Sequence, residues 1–292
     1  MVPTLSRRTL LLAGAGTLVL AACGDDEDAA PPTTAPGSPS GAGPAATLTL
    51  ARVFVPEQPA GVEVRLPLAL ADGDGALLSE VPEQLAVRIG PVDGPLGAPA
   101  VVVRHAEGVP RPYYPFPATF ATPGEWRISA DAGGRLAETT VLARAAGEVP
   151  AVPAVGERLI RLPTPTAADP LGIDPICTAD PPCPLHETSL DAVPEGRPVA
   201  LLISTPRFCQ TAICGPVLDL LVAARGDHPD VVMVHAEVYR DETARQTTPA
   251  VVAYGLTFEP SLVVADRTGT ITARLDYTFD RVELEAALAA AE

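Results

Sequence analysis

The sequence contains no lysine: all 20 of its basic residues are arginine, against 36 acidic residues. The absence of lysine excludes Schiff-base chemistry and the phosphate-binding loop, both of which need that side chain. A G-x-S-x-G motif is also missing, so no pattern favours a serine hydrolase. The acidic residues are scattered, and none of them forms a recognisable catalytic carboxylate pair. We expect no bound cofactor.

The charge of the chain is strongly negative, with a formal net charge of −16 at pH 7. Such a charge repels nucleic acid and anionic lipid headgroups, so we expect neither as a partner. Any attachment to a membrane would have to come from a lipid on the protein itself.

The N-terminal segment has the pattern of an export signal. Paired arginines at Arg7-Arg8 precede an apolar stretch that is too short for a stable membrane span. The residues Leu20–Cys23 resemble the lipobox of bacterial lipoproteins, which implies removal of residues 1–22 and lipidation of Cys23. The twin arginine resembles the signal of the export route for folded proteins. We therefore expect an extracytoplasmic protein that is held to the membrane by a lipid anchor.

Two further regions follow the signal. Residues 23–45 are acidic and then rich in proline, glycine and serine, which predicts a disordered tether. Residues 46–145 contain short, β-branched, alternating stretches between clusters of Gly, Pro and Asp. They predict an all-β sandwich similar to immunoglobulin-like modules, with Trp126 as a core anchor.

The rest of the chain divides into a linker and an α/β pattern. Residues 146–194 are rich in proline and predict a linker and lead-in arm. In residues 195–292, apolar runs at Val199–Ser204 and Val231–Tyr239 flank an amphipathic stretch at Pro216–Arg225. A hairpin and a terminal helix follow, so the predicted order is β-α-β and then β-β-α.

Apart from Cys23, four cysteines form two close pairs: Cys177 with Cys183, and Cys209 with Cys214. An even set in an exported protein predicts two disulfides, Cys177–Cys183 and Cys209–Cys214. A four-thiolate zinc site is the less favoured alternative. The loop between Cys177 and Cys183 contains two prolines, and a structural staple is the favoured role for that pair.

Two marks in the C-terminal region resemble the thioredoxin fold over roughly residues 195–291. The step Cys214-Gly215-Pro216 opens the first helix, and Pro260 stands at the start of a buried strand, where thioredoxins have a cis-proline facing the active thiol. The arm before this region resembles that of membrane-anchored thioredoxin-like proteins and peroxiredoxin relatives. The resemblance implies an α/β thioredoxin-like domain behind the β-sandwich.

The sequence also departs from that family. Val217 stands where the resolving cysteine is expected, so the resemblance leaves Cys209 as the partner of Cys214. Glu259 precedes Pro260, and a carboxylate beside Cys214 would disfavour its thiolate.

Three functions remain open on this basis. The first is a thiol–disulfide oxidoreductase in which Cys214 attacks the substrate or its mixed disulfide and Cys209 resolves the product. The expected partner is an envelope protein or a thiol substrate. The second, favoured by Val217 and Glu259, is a non-catalytic binding module with permanent disulfides. The third is copper handling by Cys209 and Cys214, with His235 as a weak candidate for a third ligand.

Overall fold

The computed structural model describes residues 48–292, which belong to one compact unit. The predicted signal peptide, the lipidation site Cys23 and the tether lie outside the described residues. Within the described range the chain forms twelve β-strands and three α-helices. None of these helices combines the length and the apolar character that a membrane span requires.

The first eight strands form two sheets. In chain order they are β1 (Thr49–Arg52), β2 (Glu57–Pro59), β3 (Glu63–Ala71), β4 (Gln84–Pro91), β5 (Ala100–Val103), β6 (Tyr114–Thr119), β7 (Gly124–Asp131) and β8 (Leu136–Arg144). One sheet has the order β1-β3-β6 and is antiparallel. The other has the order β2-β8-β7-β4-β5 and is antiparallel except for the β2–β8 pair.

The core of this part is built by residues that alternate along the strands. Leu66 and Leu68 from β3 and Ile128 from β7 are fully buried in it. Trp126 belongs to the same core, and its indole N–H donates to the carbonyl oxygen of Thr122 at 2.9 Å. Alternation of this kind buries one face of each sheet, so the all-β expectation for this part of the chain agrees with the structure.

The remaining elements form a mixed four-stranded sheet with helices. They are β9 (Val199–Ser204), α1 (Cys214–Ala224), β10 (Val232–Glu237), α2 (Pro249–Ala253), β11 (Ser261–Ala265), β12 (Ile271–Asp276) and α3 (Arg281–Ala289). The sheet order is β10-β9-β11-β12. Strand β10 runs parallel to β9, whereas β11 is antiparallel to both β9 and β12.

The two faces of this sheet are covered differently. On one face, α1 and α3 contribute Leu221 and Leu288 to an apolar core. On the other face the cover comes from the five-residue helix α2 and from a long segment, residues 145–198, whose only helical turn is a 3-10 turn at Leu190–Ala192. We call this segment the arm.

The predicted α/β thioredoxin-like fold is wrong. Strand accounts for 34% and helix for 11% of the structure, which has three sheets and few helices. An α/β fold covers both faces of its sheet with helices. Here the proline-rich arm cannot form helix, because proline lacks the backbone N–H that a helix needs, and it covers its face of the sheet as irregular chain.

A polar cluster links the first two sheets to α3. The guanidinium of Arg65 on β3 bonds to the Glu283 carboxylate and to the carbonyl oxygens of Asp276, at 3.0 Å, and Thr278, at 2.6 Å. The Tyr113 hydroxyl also donates to Glu283. These groups hold the start of α3 against the β-sandwich part of the chain.

Candidate functional site: two cysteine pairs

The first cysteine pair lies where β9 leads into α1. Cys214 is the first residue of α1 and its side chain is fully buried. Cys209 is in the preceding loop and is half-buried. The backbone N–H of Cys214 donates to the Cys209 sulfur over 3.3 Å, and the Thr211 hydroxyl lies 3.4 Å from the same sulfur. The sulfur of Cys209 therefore sits at the N-terminus of α1, among groups that stabilise an anion.

The two thiols have opposite electrostatics. The pKa of Cys209 is lowered to about 5, chiefly by the hydrogen bond from the Cys214 thiol, which outweighs the opposing effect of burial. Hydrogen bonds from Thr211 and from two backbone N–H groups add to this effect. For Cys214 the direction is the opposite: the hydrogen bond that it makes to Cys209 and the burial of its side chain both raise the pKa of its thiol. The pair therefore holds one thiolate, on the more exposed sulfur, and one protonated thiol behind it.

Glu259 and Pro260 lie close to this pair, at the start of β11. The peptide bond between them is cis. Burial, and then the charge of Cys209, raise the pKa of the Glu259 carboxyl above its ordinary value. A carboxyl group that shares the site with the thiolate thus takes up a proton more readily than an exposed one.

A cavity of about 200 Å³ opens beside the same loop. Its lining includes Pro112, Thr211, Ile213, Glu259 and Tyr277. Its walls are largely apolar, and its charged residues are Glu259 and Arg111. A cavity of this size fits one amino-acid side chain rather than a cofactor.

The second cysteine pair lies in the arm and meets two histidines. Cys177 is buried and Cys183 is partly exposed, and the backbone N–H of Cys183 donates to the Cys177 sulfur at 3.2 Å. The Nδ1 atom of His235 on β10 lies 3.5 Å from the Cys183 sulfur and 3.9 Å from the Cys177 sulfur. The same atom is 3.2 Å from Nε2 of His186. The potential ligand atoms of these four residues all lie within 4.8 Å of one another.

The structure brings together most of the residues singled out in the sequence, but in a different grouping. Cys209, Cys214 and Glu259 share one site, as their motifs suggest. His235 is different. Its Nδ1 atom faces His186 and the cysteines of the other pair, and its Nε2 atom faces Ser204. A copper site made from Cys209, Cys214 and His235 therefore does not form.

All four cysteines in the described residues are free thiols. The two predicted disulfides join residues that are neighbours in the structure, and they remain predictions. His186 was missed in the sequence, although it follows Cys183 after only two residues, a spacing that lets two side chains of one loop converge on a common centre.

A second group of possible ligands, made of His105, Asp280 and Glu283, is already occupied by protein partners. Asp280 accepts hydrogen bonds from His105 and from the backbone of α3, and Glu283 is paired with Arg65. These groups satisfy each other's hydrogen bonds, so they serve the contact between α3 and the sandwich part.

No protein-family model matches the chain, and no curated protein matches it significantly.

Proposed function

We propose that this protein is an extracytoplasmic thiol–disulfide redox protein whose working pair is Cys209 and Cys214. The observation that carries the proposal is the combination of a half-buried Cys209 sulfur, with a pKa lowered to about 5, and a fully buried, protonated Cys214. Structural cysteines in apolar surroundings do not hold a thiolate, whereas catalytic ones do.

The burial of the two sulfurs favours roles opposite to those expected from the sequence motif. Cys209 is the nucleophile, because it is the thiolate and a substrate can reach it. Cys214 is the resolving residue, because it is shielded from solvent and directly contacts Cys209.

The reaction is a two-electron exchange with a substrate disulfide. The Cys209 thiolate attacks one substrate sulfur, which forms a mixed disulfide and releases the other substrate sulfur as a thiolate. Cys214 then loses its proton and attacks the Cys209 sulfur, which releases the second substrate thiolate. The substrate disulfide is reduced to two thiols and the protein dithiol is oxidised to the Cys209–Cys214 disulfide. The same steps run in reverse oxidise a dithiol substrate.

The surroundings of the pair suggest the kind of substrate. The cavity beside Thr211 and Ile213 would accept an apolar side chain next to the substrate cysteine. The acidic net charge of −16 and Glu259 both oppose acidic partners. We therefore expect an envelope protein whose reactive cysteine has apolar neighbours. The export signal and the lipobox at Leu20–Cys23 support the extracytoplasmic location.

The test is to trap the mixed disulfide. The variant Cys214→Ser cannot resolve it, so a cysteine-containing peptide disulfide should remain covalently attached to Cys209 and be located there by mass spectrometry. The variant Cys209→Ser is the matched control and should trap nothing. Attachment to Cys214 in that control, or no attachment in either variant, would contradict the assignment.

A redox measurement separates turnover from a structural bridge. Catalytic disulfides have reduction potentials above those of structural ones, which lie below about −300 mV. A value below that limit for Cys209–Cys214 would mean that the bridge does not cycle.

A non-catalytic binding module is the second candidate, and Glu259 is the observation that favours it. A carboxylate near Cys209 repels an attacking or leaving thiolate and slows exchange. Under the redox proposal, Glu259→Gln should speed the trapping reaction. If the trapping reaction stays slow in Glu259→Gln, and the Cys209→Ser and Cys214→Ser variants still bind the same partner, the binding module is the better explanation.

A further inference from the structure

We propose that Cys177, Cys183, His186 and His235 bind one Zn²⁺ ion, which ties the arm to the four-stranded sheet. This site is separate from the Cys209–Cys214 pair, and the proposal does not depend on the redox function. Two thiolates and two imidazoles are a donor set that Zn²⁺ accepts in closed, four-coordinate sites.

The distances between the ligand atoms match a tetrahedral zinc site. With Zn–N bonds of about 2.05 Å and Zn–S bonds of about 2.3 Å, tetrahedral angles place two nitrogens ~3.4 Å apart and a nitrogen and a sulfur ~3.6 Å apart. The observed separation of the two nitrogens, Nδ1 of His235 and Nε2 of His186, is 3.2 Å. Nδ1 of His235 is 3.5 Å from the Cys183 sulfur and 3.9 Å from the Cys177 sulfur. These three separations lie within about 0.4 Å of the tetrahedral values, and the other three do not exceed 4.8 Å, so one ion can lie between the four atoms.

The outer nitrogens of both imidazoles point to carbonyl oxygens. Nδ1 of His186 lies 3.4 Å from the carbonyl oxygen of Pro165, and Nε2 of His235 lies 3.2 Å from that of Ser204. The Ser204 hydroxyl, which can donate or accept, also lies 3.0 Å from Nε2 of His235. In the tautomers in which both outer nitrogens donate to the carbonyls, the inner nitrogens present lone pairs to each other at 3.2 Å. That arrangement favours a cation between them, and these outer partners are of the kind seen around zinc-bound histidines.

A buried acidic group beside the cluster also favours a cation there. Glu237, two residues after His235 and on the same face of β10, is 1% exposed. Its Oε1 accepts from the backbone N–H and the hydroxyl of Thr178, but its Oε2 has no partner among the described residues. A buried carboxylate is costly unless a positive charge balances it, and a Zn²⁺ ion in the neighbouring cluster would supply that charge.

The placement of the ligands indicates what the ion would do. Three ligands come from the arm and the fourth, His235, comes from β10. A Cys177–Cys183 disulfide would close a loop within the arm only, whereas a zinc ion would fasten the arm to the sheet that it covers. A surface cavity of about 560 Å³, lined by Cys177 and Pro182 among others, leads to the cluster and gives the ion a route in.

The first experiment titrates the full chain, reduced and metal-free, with Zn²⁺ and with Co²⁺. We expect one equivalent to bind, and we expect the Co²⁺ form to show a thiolate-to-cobalt charge-transfer band with tetrahedral d–d bands. Bound Zn²⁺ should protect Cys177 and Cys183 from alkylation, while Cys209 and Cys214 stay reactive, as read by mass spectrometry of individual peptides.

Matched histidine variants complete the test. His186→Gln should weaken Zn²⁺ binding by at least tenfold. His228→Gln, which changes a histidine paired with Glu285 and Glu292 outside the cluster, should leave binding unchanged. Should His186→Gln fail to fold, as judged by circular dichroism, the protection pattern of the unaltered chain decides the question.

Three results would overturn the proposal. The first is the absence of stoichiometric metal binding by the reduced chain, which is expected if the Ser204 hydroxyl donates to His235 and His235 donates to His186 in a chain of hydrogen bonds. The second is protection of Cys209 and Cys214 by Zn²⁺, which would move the site to the other pair. Equal affinity in His186→Gln and the unaltered chain would exclude His186 as a ligand.

Discussion

The thiolate on Cys209 leads to a prediction about its reaction rate as a function of pH. The perturbation is a change of pH during reaction with a small aromatic disulfide, and site-resolved mass spectrometry follows each cysteine. An ordinary cysteine, with a pKa of about 8.5, reacts about tenfold faster for each unit of pH up to that value. Cys209, with a pKa of about 5, should instead react at a rate that is nearly constant above about pH 6.

The magnitude follows from two opposing factors. At about pH 5.5 a thiol of pKa ~5 is about 75% ionised, against about 0.1% for one of pKa ~8.5, a ratio of about 760. The lower pKa also makes the thiolate a weaker nucleophile, by about 40-fold for a Brønsted coefficient of about 0.45. Cys209 should therefore react about 20-fold faster than an ordinary cysteine at about pH 5.5 and about equally fast at about pH 7.

Two substitutions of Cys214 test the cause of the lowered pKa. The largest contribution is the hydrogen bond from the Cys214 side chain. Cys214→Ser keeps a donor there and should keep the acid-side reactivity, whereas Cys214→Ala removes it and should move the onset of reaction to higher pH. The reasoning fails if Cys209 in the unaltered chain reacts tenfold faster per pH unit up to about pH 8, the behaviour of an unperturbed thiol.

Two further predictions concern the contact between α3 and the sandwich part, both read by denaturant unfolding. Tyr113→Phe removes the hydroxyl that donates to Glu283 and accepts from the Asp280 backbone N–H. It should cost about 1–3 kcal/mol because Asp280 is buried and Glu283 is partly buried; no loss would show that water replaces the hydroxyl. Asp280→Ala removes the N-cap of α3 and the partner of His105, with an expected cost of about 2–4 kcal/mol. Burial raises the pKa of Asp280, but the bonds from His105 and Glu283 outweigh it and hold that pKa below its ordinary value. The stability that Asp280 contributes is therefore present above about pH 4 and is lost as the pH falls through its folded-state pKa, so the Asp280→Ala variant should show a weaker acid dependence than the unaltered chain.

Local patterns in the sequence predict individual elements well. The apolar run Val199–Ser204 is a strand with those bounds, and the stretch predicted as a helix from Pro216 to Arg225 is helical from Cys214 to Ala224. Trp126 is a core residue, as expected for a single tryptophan on an alternating strand. These features depend on side chains within a few residues of each other, so the sequence carries the necessary information.

The assembly of those elements was harder to predict. The resemblance to thioredoxin suggested helices on the sheet, but how the face opposite α1 and α3 is covered depends on where the arm packs. Residues such as Leu190 and Tyr254 meet there although they are far apart in the chain. No local period in a proline-rich segment indicates which face it will cover.

The sequence by itself pointed to the pairing of Cys209 with Cys214 and of Cys177 with Cys183, because segments of four or five intervening residues that contain proline or open a helix can turn back and bring two thiols together. The tertiary structure alone decided which thiol is exposed and ionised, since burial and hydrogen bonding set a thiol's pKa. It also decided that His235 joins Cys177, Cys183 and His186 rather than the pair nearer to it in sequence. That grouping depends on the arm packing against β10, and contacts between distant segments exist only once the chain has folded.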